Sequence, residues 1–222
     1  MQFFAKMHST TFSNQETDLK MKQITFNQYR TVDIAILCGL TALFEGIATY
    51  ATNSWFVLQA MAISVTLVMV CITMMRWGWQ AVLPSFIGSF VYCLACRLIG
   101  CGGTSKQFII YCFGSLFCII PLVLLKKLGK ERVRLSGGYR CLFVICTYLS
   151  IVLGRWLVSL IFEFSFSSLI GFITSDILSL LFAIVVVSLA KSIDGLIEDQ
   201  KHYLLRLDRE RKEQQGTVND DF

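Results

Sequence analysis

The chain has 222 residues, of which 55% are hydrophobic and 16% charged, and its net charge is +5. Soluble domains carry about 25% charged residues. Here the apolar residues come in long blocks with few interruptions, so the composition suits lipid rather than water. The modest positive charge comes from basic residues between and after those blocks and gives no footprint for nucleic acid.

Residues 1–29 read as a polar N-terminal segment, expected in the cytoplasm. The apolar stretch from Phe3 to Ala5 is far too short for a signal peptide, and Met7 and Met21 are alternative starts. Residues 30–191 read as the transmembrane domain. Six apolar blocks lie at about 31–50, 57–75, 80–99, 108–125, 141–162 and 169–190. Each is close to the roughly 20 residues that a helix needs to cross a bilayer. Each must be helical, because lipid offers no partner to backbone polar groups. The expected fold is therefore all-α, a polytopic bundle of six transmembrane helices. Residues 192–222 read as a charged cytoplasmic tail, helical because Ile193, Leu196, Ile197, Leu204 and Leu207 recur at helical spacing. It is either a solvated extension of the sixth helix or a contact for a partner.

Basic residues set the expected orientation. Lys20, Lys22 and Arg30 precede the first block, and Arg76 lies in the second link. The fourth link holds Lys126, Lys127, Lys130, Arg132, Arg134 and Arg140, and Lys191 follows the last block. The first and fifth links have no Lys or Arg, and the third has Lys106 after Arg97. The alternation puts both termini in the cytoplasm of a multi-pass cell-membrane protein. Trp55, Trp77 and Trp79 flank block ends, as interfacial anchors do.

The nine cysteines fall mostly inside or at the ends of apolar blocks, which is no disulfide framework. Cys93 and Cys96 form a C-x-x-C, but His8 and His202 lie outside the blocks, so the cysteines read as small apolar packers and no metal site is expected.

Ionisable residues inside a membrane are costly and face a protein interior or cavity. Glu45, Arg97, Arg155, Glu163 and Asp176 all fall in or beside blocks. In the expected topology, Arg155 lies just beyond the membrane's middle and the other four in the outer half. Asp33 instead sits at the inner end of the first block. Thr41, Glu45, Thr49 and Thr52 form one stripe on the first helix, Ser85, Ser89, Tyr92 and Cys96 another on the third, and Gln107, Tyr111, Ser115 and Cys118 a third on the fourth. Tyr148, Arg155 and Ser159 extend the pattern to the fifth. The arrangement points to a buried polar pocket open to the outside, with Glu45, Thr49, Tyr92, Arg97, Tyr111, Arg155 and Asp176 as candidate substrate-binding residues. The alternative is a set of structural salt bridges that hold the bundle together.

A second stripe on the first helix, Ala35, Gly39, Ala42 and Gly46, is made of small residues. Such a stripe lets another helix approach closely, within the bundle or from a partner. The chain has no Walker A loop, no G-x-S-x-G and no H-E-x-x-H, so neither ATP hydrolysis nor another enzymatic role is expected, and no cofactor is implied.

From about Tyr29 to Lys191 the sequence resembles a substrate-binding S component of an energy-coupling-factor (ECF) transporter. The resemblance rests on size, six blocks, both termini inside, an outward pocket and small residues on the first helix. That family uses an Ala-x-x-x-Ala pattern on its first helix to dock a transmembrane coupling subunit, and Ala35-x-x-x-Gly39 stands in that place. Met75-Arg76-Trp77-Gly78 and Gly129-Lys130-Glu131-Arg132 also look like segments of uncharacterised members. The resemblance implies capture of a vitamin or similar micronutrient at the outer face, followed by delivery through a coupling subunit and two ATPase subunits. The charged tail departs from the better-known vitamin binders. Two other readings stand beside it: a small membrane scaffold similar to the MreD family of cell-shape proteins, and an intramembrane enzyme using Glu45 and Asp176.

Overall fold

The structure, a computed structural model, describes residues 26–55, 63–100, 102–162 and 167–193, with isolated positions at 196, 197, 200, 203 and 206. Among these, every regular element is helical: α1 Phe26–Trp55, α2 Thr66–Trp77, α3 Val82–Ile99, α4 Ser105–Ser115, α5 Pro121–Leu128, α6 Lys130–Leu135, α7 Gly137–Phe162, α8 Ser167–Ser175 and α9 Ile177–Ala190. Short 3-10 turns join α2 to α3 at Gly78–Ala81 and continue α4 at Leu116–Ile119.

Among the described residues, four helical stretches are long and apolar enough to cross a membrane: Asn27–Ser54, Thr66–Ile99, Ser105–Leu128 and Gly137–Phe162. A fifth is the bent pair Leu169–Ser175 and Ile177–Ala190, which turns by 45° around Asp176. The unbroken sixth block expected from the sequence is thus two helices. The stretch from Thr66 to Ile99 is not one straight rod either. Gly78, at φ +70, occupies a conformation that side chains disfavour, and beyond it the chain folds back. A Cβ placed on Gly88 of α3 would lie 2.0 Å from the Thr66 hydroxyl at the start of α2. In a straight helix those residues would be about 33 Å apart.

Helix α7 is central. It packs against α4, α8 and α9, and receives α5 and α6 near its start. The apolar core joins α2, α7 and α9 through Val70, Cys71, Met74, Phe143, Val144, Ala183 and Val187. Outward faces carry exposed Leu, Ile and Phe, including Phe44, Ile47, Phe90, Leu98, Leu153 and Leu181. Soluble proteins rarely leave so much apolar side chain uncovered, and the belt is compatible with a membrane protein.

Arg140 near the start of α7 donates to the Ser188 carbonyl near the end of α9 at 3.4 Å, and Lys191 donates to the Leu135 carbonyl at 3.5 Å. These bonds mark the basic end of the bundle. Arg155 lies fifteen residues further along α7, about 22 Å away, and it meets Asp176 at the other end of α9. Of the tail, Ile197 and Gln200 are buried, while most of 192–222, and all of 1–25, lies outside the described residues.

Candidate functional site

The site starts from a capping problem. The first N–H groups of a helix have no partner within it, and α2 begins after Val65, which has no side chain able to cap. The acceptor comes from α1. Glu45 Oε2 accepts from Val65 N at 2.8 Å, Thr66 N at 2.9 Å, Thr66 Oγ1 at 2.8 Å and Ser64 Oγ at 3.0 Å. A carboxylate there also faces the positive end of the helix dipole. Ser64 N donates in turn to Ser179 Oγ of α9 at 2.8 Å. The Ser64–Thr66 segment therefore ties α1 to α9 as well as starting α2.

The second group is built on α7. Arg155 Nη1 donates to Asp176 Oδ2 at the break between α8 and α9. The Arg155 guanidinium lies 4.4 Å from the centroid of the Tyr111 ring, a cation–π contact. Tyr111 stacks on Tyr92 of α3 with centroids 5.2 Å apart. Two glycines bring α4 this close to α7. A Cβ on Gly114 would sit 2.6 Å from the Arg155 Cα, and one on Gly154 would sit 2.3 Å from the Gly114 carbonyl oxygen.

The two groups face a common buried space. Glu45, Ser64, Thr66, Ser89, Tyr92, Tyr111, Arg155 and Asp176 line one part of it. The adjoining part runs inward between Ser85, Ser115, Tyr148 and Ser179. The two parts hold cavities of about 10 and 20 Å³, room for a water molecule or two. Three polar atoms of these lining residues have no hydrogen-bond partner among the described residues: Glu45 Oε1, Ser89 Oγ and Arg155 Nε. Their residues are 1%, 2% and 7% exposed. Buried polar groups almost always find partners, so three orphans around one cavity describe a place for a polar occupant.

Of the residues singled out from the sequence, Glu45, Tyr92, Tyr111, Arg155 and Asp176 share this cavity. Thr49 is buried on the same face of α1, but its hydroxyl donates to the Glu45 carbonyl at 2.8 Å and does not line the space. Arg97 is exposed in the last turn of α3 and lies away from it. Gln107, read as part of an inward stripe, is exposed and instead closes a capping box with Thr104 at the start of α4. Glu163 lies outside the described residues. Sequence reasoning missed Ser64, Thr66 and Ser179. The signal available was Ser64 and Thr66 just before an apolar run, where hydroxyl residues commonly start a helix.

On the small-residue stripe of α1, Ala35 and Gly39 are exposed and Ala42 and Gly46 half-buried. A Cβ on Gly39 would meet nothing within 4 Å, whereas one on Gly46 would meet Val91 of α3 at 3.8 Å. No protein-family profile, curated protein or solved structure matches this chain.

Proposed function

We propose that this protein is a membrane-embedded ligand-binding subunit with six spans and both termini in the cytoplasm, working as ECF S components do. It takes a small polar micronutrient from the outer face and passes it inward with a transmembrane coupling subunit and two ATPase subunits. The observation that carries this reading is the set of three unpartnered polar atoms, Glu45 Oε1, Ser89 Oγ and Arg155 Nε, on one buried cavity. The six-span count is supported by the reversal at Gly78, which makes two segments of Thr66–Ile99. The open space around Gly39 on α1 supports docking of another helix there.

A molecule larger than water enters this cavity only if it widens. The stretch of α1 from Ile36 onward joins its neighbours through side chains more than through close backbone approach, so it is the element we expect to move. Native mass spectrometry of the gently purified protein tests the proposal. A retained small molecule, with coupling and ATPase subunits copurifying from the native membrane, is the expected result. An empty protein with no such partners would argue against it.

The small cavity favours a second reading, in which Arg155 and Asp176 are an internal staple of a membrane scaffold and the space holds only water. A scaffold of that kind would bring down structural partners and no small molecule.

A further inference from the structure

The charges around the cavity do not cancel. Arg155 is matched by Asp176, and one face of its guanidinium region is covered by Tyr111. That pair is neutral as a unit, and Arg155, which lines the cavity, keeps a buried N–H at Nε without a partner among the described residues. Glu45 has no such counter-ion. Among the described residues it forms no ion pair. Its Oε2 is saturated by two backbone N–H groups and two hydroxyls, all of them uncharged donors. The helix dipole behind those donors amounts to about half a positive charge, which offsets only part of the carboxylate. Glu45 lines the cavity, and its buried Oε1 accepts from nothing among the described residues.

A buried charge without a partner is expensive, and whatever supplies the partner recovers that cost. Anions are poorly served here. An anionic ligand would have to displace Asp176 from Arg155 while facing Glu45 across a narrow space. A cation with N–H donors meets the opposite situation. It finds a bare carboxylate oxygen and the Ser89 hydroxyl as a further acceptor, with the aromatic side chain of Tyr92 also lining the space. Resting on the ligand-binding reading above, we propose that Glu45 receives a nitrogen cation, an ammonium or amidinium head, and that the site discriminates against anions. Glu45 is then both the anchor of α2 through Oε2 and the recognition atom through Oε1.

An isosteric series separates charge from shape: acetamidinium, acetamide and acetate share four heavy atoms in one plane and carry +1, 0 and −1. Thermal unfolding of the full-length protein in detergent is read for each, always as the difference between wild type and Glu45→Gln at matched ionic strength. Glutamine keeps an acceptor oxygen for the α2 N-terminus and removes the charge, so effects of the probes on the solvent cancel. The expected result is a rise of a few degrees that saturates with acetamidinium in wild type alone, with no such rise for acetamide or acetate. Ser89→Ala, which leaves the α2 cap intact, serves if Glu45→Gln does not fold, and it should shrink the acetamidinium shift. Equal shifts for the neutral or anionic probe, no shift with any of them, or a full shift in the variant would overturn the proposal. A retained native ligand that proved neutral or anionic would overturn it too, while leaving ligand capture itself standing.

Discussion

Arg155 enters the bundle with its counter-ion, and each side chain depends on the other. With Arg155→Met, Asp176 is left as a charge in a site that water scarcely reaches, and loss of one member of such a pair typically costs about 3–5 kcal/mol. Asp176→Asn should cost a similar amount by stranding the guanidinium. The double variant Arg155→Met with Asp176→Asn removes both charges and should recover much of that stability, read by denaturant or thermal unfolding in detergent. Additive losses in the double would mean that the two side chains act independently. Glu45 follows a different rule, because its partners are mainly donors at a helix start. Glu45→Ala should cost more than Glu45→Gln, by about 1–3 kcal/mol for each buried N–H left without an acceptor. The same unfolding experiment decides this, and equal losses would show that charge and not capping is what the fold needs from Glu45. Arg155, Asp176 and Glu45 were legible in the sequence because an ionisable residue within an apolar run stands out whatever its partner. The partners of Glu45 were not legible. Two are the hydroxyls of Ser64 and Thr66, which can mark a helix start but do not name their acceptor, and two are the backbone N–H groups of Val65 and Thr66, which have no residue type to read.

At the scale of elements, two glycine contacts set where the side chains meet. Gly114 and Gly154 let α4 cross α7 closely enough for Tyr111 to lie over Arg155. Gly114→Ala would push a methyl into the backbone of α7 at Arg155, which cannot move aside as a flexible side chain would. Overpacking of this kind typically costs about 1–3 kcal/mol, and the variant should unfold earlier and lose any ligand retained by wild type. Gly39→Leu makes the contrast. The space beside Gly39 is open, so the larger side chain should leave unfolding unchanged while weakening copurification of the coupling and ATPase subunits. A destabilised Gly39→Leu protein would instead mean that the stripe packs internally. The apolar blocks placed α1, α3 and α7 to within a few residues, since long runs of one polarity fix where a span lies. They missed the break at Asp176, because hydropathy averaged over a span does not register one peptide leaving the helix. They also missed the Gly114–Gly154 crossing. Both glycines sit among apolar residues, and only the packing of α4 on α7 reveals that neither tolerates a Cβ.

For the whole molecule, the orientation in the membrane decides what the cavity can receive. Arg140 of the fourth link and Lys191 after α9 lie at one end of the bundle, where Lys191 bonds Leu135 of the same link. The Glu45, Arg155 and Asp176 cavity lies toward the other end, about 22 Å along α7 from Arg140. Positive charge is retained on the cytoplasmic side of membrane proteins, so the cavity should face outward. Single cysteines in a cysteine-free background test this directly. A cysteine at Ser54, exposed near the end of α1, or at Ser105, exposed at the start of α4, should react in intact cells with a thiol reagent that cannot cross the membrane. One at Ser136, between α6 and α7 on the basic side, should react only after the cells are opened. Residues 54 and 136 are separated by an odd number of spans if there are six, which is why they should differ. Equal labelling of the two would break the six-span count. Labelling of Ser136 alone would invert the protein. The cavity would then open to the cytoplasm, on the wrong side to take a ligand from outside the cell, and capture at the outer face would have to be abandoned even if Glu45 and Arg155 do bind a small molecule.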